Sequence, residues 1–172
     1  MWAWIGVYVT TAMLAQGRAG AEHLGSLAAF AAIGAGAAGC IVAGAYADVV
    51  VRARVAALAM MISATCCALT VPAFRAPYIA VLALAVLWGF SVVADSAQFS
   101  AIVAETSPPE HVGTALTVQT CLGFLLTMLS IRLVSAAAVW VGWQLAFLVV
   151  LPGPVLGVQA MLALMRPRVR EE

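Results

Sequence analysis

Lysine is absent from the 172-residue chain, and charged residues of all kinds make up only 9% of it. Eight arginines are scattered along the sequence against seven acids, for a formal net charge of +1. That leaves no basic patch able to neutralise a nucleic-acid backbone. Histidine occurs only at His23 and His111, both in polar connections, so no apolar stretch carries its own imidazole base. The four cysteines, Cys40, Cys66, Cys67 and Cys121, lie singly or adjacent inside apolar runs, without paired metal-ligand spacing. They read as small packing residues. No group of His, Asp or Glu has metal-site spacing either, so nothing in the sequence implies a cofactor or metal.

What fills the chain is apolar: 65% of its residues are hydrophobic and the mean hydropathy is +1.10. A soluble domain of this size has too few polar side chains to cover such a surface, whereas a bilayer requires no such cover. The expected class is an all-α integral membrane protein, a polytopic bundle of transmembrane helices. At about 20 residues per span, the apolar stretches are 1–15, 25–47, 55–74, 78–105, 109–137 and 144–165, with a short charged tail over 166–172. The first stretch would reach only about 22 Å at 1.5 Å per residue. Lacking a basic start and a small-residue cleavage site, it reads as the later part of a truncated spanning helix, not a signal peptide.

The stretch from Tyr78 to Thr127 joins two long apolar segments through one tight turn. Asp95 sits inside the first of them, seventeen residues and about 25 Å from its start. An acid there costs about 2.5–3.5 kcal/mol in lipid, so it is expected to face protein or water. Gln98 follows one turn later, and Gln119 and Thr120 come from the next segment. This set is the candidate site for substrate contact or proton coupling, since a desolvated carboxyl can take and release a proton near neutral pH. The competing readings are an Asp95 to Gln98 hydrogen bond that joins two helices, or a helix that leaves the hydrocarbon at Ala94. Ser107-Pro108-Pro109-Glu110 predicts a helix stop and restart, with Ser107 as the cap and Glu110 completing a capping box.

In the second segment Ala28, Ala32, Gly36, Cys40 and Gly44 recur every four residues up to Asp48. Small side chains on one stripe predict a close helix contact. Gly34, Gly36 and Gly39 spell G-x-G-x-x-G, but no strand precedes them, which argues against a dinucleotide site. Pro72 and Pro152-Gly153-Pro154 fall in apolar runs and predict kinks whose freed carbonyls find other partners. With six spans, Arg52, Arg54, Arg166, Arg168 and Arg170 share one side and Arg18 and Arg75 the other, which places the C-terminus in the cytoplasm. Trp140, Trp143 and Tyr78 then fall at the outer interface. Arg132, about 30 Å along the fifth segment, either snorkels outward or touches an anionic substrate.

Gly44-Ala45-Tyr46-Ala47-Asp48 followed by Arg52 and Arg54 resembles the loop motif of the major facilitator superfamily, with Val49 and Val51 where that family often has arginine and glycine. Trp88-Gly89, the run Ala94 to Ser100, Pro108-Pro109-Glu110 and Gly113 to Thr117 are similar to the tenth and eleventh helices of bacterial members. The resemblance implies the C-terminal six-helix half of a secondary transporter in a bacterial inner membrane. A missing N-terminal half, encoded by the same gene or by another chain, would complete the path for a small solute. It also implies a cytoplasmic gate of Gly44, Asp48, Arg52, Arg54 and Glu105, unless the arginines serve only as inside-positive charge and Asp48 only ends a helix. Two other classes stand beside it. One is an accessory or scaffold membrane protein that transports nothing. The other is an intramembrane hydrolase built on Ser91, which lacks a base because His23 and His111 fall on opposite sides of the membrane. The chain is therefore expected not to be an enzyme.

Overall fold

The computed structural model describes residues 1–165, of which no residue is in a β-strand, and helix accounts for 85%. The order is α1 (Ile5–Ala15), α2 (Ala21–Ala47), α3 (Arg52–Ala73), α4 (Tyr78–Thr106), a 3-10 turn (Pro109–His111), α5 (Val112–Val141), a second 3-10 turn (Ala146–Val150) and α6 (Pro152–Leu164). Among the described residues five helical stretches are long and apolar enough to span a bilayer, α6 together with its leading 3-10 turn counting as one of them. α1, at 11 residues, is shorter than a span. Large apolar side chains stand uncovered along these helices, Phe30, Ile41, Ile79 and Val139 among them. Water would penalise that surface and lipid does not, so this is an integral membrane protein. The tail over 166–172, with Arg166, Arg168 and Arg170, lies outside the described residues.

Four-residue connections or shorter turn α2 into α3 and α3 into α4, so α2 and α4 run in the same direction. They pack closely through glycine. A Cβ on Gly89 would collide with the Ala32 carbonyl, and one on Gly39 with the Phe90 carbonyl. In lipid, where burying apolar surface gains little, such close backbone approach supplies the association through dispersion. The contact stripe departs from the expected one. It runs Gly25, Ala28, Ala32, Gly36, Gly39, Ala43 and Ala47, in steps of three, four and four. An α-helix turns once per 3.6 residues, so a strict four-residue stripe drifts around the axis while an eleven-residue pattern stays on one face. Gly44 consequently looks into open space, Cys40 is half-buried, and Gly34 of the G-x-G-x-x-G run faces away from the contact.

The end of α3 is held by side chains from elsewhere. Tyr8 of α1 donates its hydroxyl to the Thr70 carbonyl, Gln144 donates to Val71 at 3.4 Å, and Gln16 donates to Phe74 and Ala76 at 3.2 and 3.1 Å. Helix ends leave carbonyls short of partners, and Pro72, inside the last turn of α3, removes one more backbone donor there. Tyr8 meets Phe74 and Phe147 edge-on at centroid distances of 5.7 Å, and Phe147 meets Trp88 at 5.0 Å. Trp88 in turn donates to the Ser63 hydroxyl at 3.0 Å. These aromatics tie α1, α3, α4 and the turn before α6 into one core.

Four local expectations change. Ser107 is extended, but so is Pro108, because the following Pro109 excludes helical backbone there. The cap position thus moves to Pro108, which has no side-chain donor or acceptor, and no capping box forms. Pro152 does not kink a continuous helix. It opens α6 at its first turn, where its missing N–H costs nothing, after the 3-10 turn. Trp143 is turned inward onto Trp4, ring centroids 5.6 Å apart, while Trp140 remains 87% exposed. Cys66 and Cys67 are buried as packing residues, but Cys121 is exposed on α5.

Candidate functional site

α5 is the element that shapes the site, because it leans on the bundle without being absorbed into it. Of its 30 residues only Val134 is buried. Two polar contacts attach it: Trp4 donates its indole N–H to the Ile131 carbonyl at 3.1 Å, and Ser100 of α4 donates to Gln119 Oε1 at 3.3 Å. Elsewhere α5 stands off from α6, and the gap between α4, α5 and α6 is a crevice.

Asp95 lines that crevice. Its cavity has a volume of about 500 Å³ and is walled by Leu126, Thr127, Ser130 and Leu133 of α5, Val149 and Val150 before α6, and Gly153 and Pro154 within it. Among the described residues no other charged residue borders it. Asp95 Oδ1 accepts a hydrogen bond from Ser96 Oγ at 3.2 Å. The Thr127 and Ser130 hydroxyls donate back to their own helix, to Gly123 and Thr127 carbonyls, so their oxygens offer acceptors to the cavity. A carboxyl, two hydroxyl oxygens and an apolar wall suit a small solute or a proton on water.

The polar residues expected to gather around Asp95 do not. Gln98 is 2% exposed, and its Oε1 has no hydrogen-bond donor. It neither lines the Asp95 cavity nor bonds to Asp95. Gln119 pairs with Ser100 and lines a different, mostly apolar cavity of about 730 Å³. Thr120 is exposed outside both. Successive residues on a helix point about 100° apart, so only one of Gln119 and Thr120 can face α4. Arg132 is exposed and without an acidic partner among the described residues, while its neighbour Leu133 lines the crevice. Thr127 and Ser130 were not legible as site residues. Their three-residue spacing puts them on one face of α5, the one signal that could have singled them out.

Ten residues beyond Asp95, at the C-terminal end of α4, lies the charged group of the loop motif. Arg52 Nε and Glu105 Oε1 form an ion pair at 2.6 Å, joining the start of α3 to the end of α4. Asp48, at the C-terminal cap of α2, and this pair line one cavity of about 500 Å³ together with Ile102, Thr106 and Met165. Arg54 is exposed and outside it, and Gly44 lies a turn back on α2. Three of the five motif residues are therefore brought together. Among the described residues no group of His, Cys, Asp and Glu converges in a way that could hold a metal. Compared with protein-family models, curated proteins and solved structures, the chain matches none of them.

Proposed function

We propose that this chain forms one six-helix half of a secondary transporter similar to the major facilitator superfamily, carrying a small solute across a membrane, with protonation of Asp95 as the coupling step. A second six-helix bundle, from the same gene or another chain, completes the path, and alternating access comes from rocking of the two. The observation that carries the reading is the place of Asp95, an acid within a membrane helix bordering an open crevice without a countercharge. An intramembrane carboxyl is costly enough that retaining one without a charged partner among the described residues points to use. The Arg52–Glu105 pair beside Asp48 supports a gate at the C-terminal end of α4, on the cytoplasmic side with the C-terminus. Ion pairs that tie α3 to α4 there favour the closed arrangement of that end.

The test reconstitutes the chain with its partner half in liposomes containing a pH-sensitive dye and applies a panel of small solutes. A solute that moves protons with the unmodified protein is expected to move none with Asp95→Asn. Proton movement that survives this substitution unchanged would overturn the assignment.

A further inference from the structure

We infer that an aqueous route to Asp95 runs inside this single bundle, between α4, α5 and α6, with Ile102 and Leu126 as its gates. The inference rests on the reading of Asp95 as a working ionisable group. Three cavities follow one another along α4. The first holds Asp95, the second is lined by Phe99, Val118 and Leu122, and the third holds Asp48, Arg52 and Glu105. Leu126 borders both the first and the second, and Ile102 borders both the second and the third. A side chain that walls two successive cavities stands at their junction, Leu126 there 67% exposed and Ile102 half-buried. On α4, Asp95 and Ile102 are seven residues apart, two turns on one face, and Glu105 is one turn further, so the whole route spans about 15 Å.

The chemistry of the three sections assigns the occupant. Both end cavities carry ionisable groups, which favour water over acyl chains. The middle section is apolar apart from Gln119, whose amide oxygen is engaged by Ser100. A short apolar section between two wetted ends conducts only when it is wide enough to stay wet, so small side-chain movements open and close it. Ile102 and Leu126 each have rotamers to make that change. The route lies within one half of the proposed transporter, apart from any solute path between halves.

Labelling without any solute tests it. In a background with Cys40, Cys66, Cys67 and Cys121 replaced by alanine, single cysteines are placed at Leu122 and Thr127, which wall the route, and at Ile41 and Val139, which border none of the three cavities, as controls. Liposome-embedded protein is treated with a membrane-impermeant, charged thiol reagent from the Arg52–Glu105 side. The two route positions are expected to react on the order of tenfold faster than the controls. Ile102→Ala speeds both, Leu126→Ala speeds only Thr127, and Ile102→Trp slows both. Should Ile102→Trp fail to fold, the two alanine variants still separate the gates. Reaction no faster than at Ile41, as lipid filling would give, or rates indifferent to Ile102 and Leu126, would overturn the route. Normal labelling alongside solute-driven proton movement that survives Asp95→Asn would instead remove the coupling and leave the route standing.

Discussion

Gly89 on α4 lies directly against the backbone of Ala32 on α2, so close that a methyl group at position 89 would overlap the Ala32 carbonyl. The obstacle is backbone, which cannot rotate aside. Gly89→Ala is therefore expected to destabilise the folded protein by about 3 kcal/mol, at the upper end for overpacking. Gly44→Ala, where a Cβ meets nothing within 4 Å, is expected to be neutral or stabilising by up to about 1 kcal/mol through helix propensity. Thermal unfolding in detergent, followed by loss of the monodisperse peak, measures both. Equal effects at the two positions would refute the close α2–α4 contact.

Gln98 offers a test in the opposite direction. Its buried Oε1 lacks a donor, so the side chain carries a desolvation penalty without a compensating bond. Gln98→Leu, similar in size, is expected to raise stability by about 1–3 kcal/mol. A loss of stability in the same unfolding assay would mean that the amide is engaged by a group on a neighbouring helix.

The Arg52–Glu105 pair is partly exposed, its side chains at 28% and 57%. Water and salt screen it, so either neutralisation, Arg52→Gln or Glu105→Gln, is expected to cost below about 1 kcal/mol. Its weight falls on conformation instead. In liposome-embedded protein, if that end is the proposed gate, both variants are expected to shift it toward opening, measured as faster labelling of a cysteine at Thr106, and the reversed pair Arg52→Glu with Glu105→Arg to restore slow labelling. Unchanged labelling in all three would remove the gate.

Tyr8 anchors α1 through its bond to the Thr70 carbonyl and its edges against Phe74 and Phe147. Tyr8→Phe keeps the ring and removes one buried hydrogen bond, an expected cost of about 1 kcal/mol. Tyr8→Ala also empties the aromatic cluster and is expected to cost about 3–5 kcal/mol. Similar losses for the two would show that the hydroxyl, not the ring, holds α1.

The helices were legible because each is written locally. Runs such as Tyr78 to Ala94 and Val112 to Val141 are apolar over a span's length, and Pro108-Pro109 marks a boundary through backbone sterics alone. The capping box failed for the same local reason taken one residue further, since Pro109 displaced the cap from Ser107 to Pro108. The contact stripe on α2 was legible at Ala28, Ala32 and Gly36 and then lost, because four-residue counting ignores the drift of a 3.6-residue helix.

The sequence by itself determined that this protein lives in a bilayer as a set of helices, since insertion depends on the composition of each segment and the backbone satisfies itself within each helix. It also determined that Asp95 would have to find a polar border, because the cost of an acid in lipid is a property of the residue. Tertiary structure alone decided which border. Helix rotation turns Asp95 to a crevice against Thr127 and Ser130, buries Gln98 away from it and gives Gln119 to Ser100. Packing of α3 against α4 likewise brings Arg52 to Glu105, 53 residues along the chain. Those choices follow from the rotation and tilt at which each helix packs, which no single segment encodes.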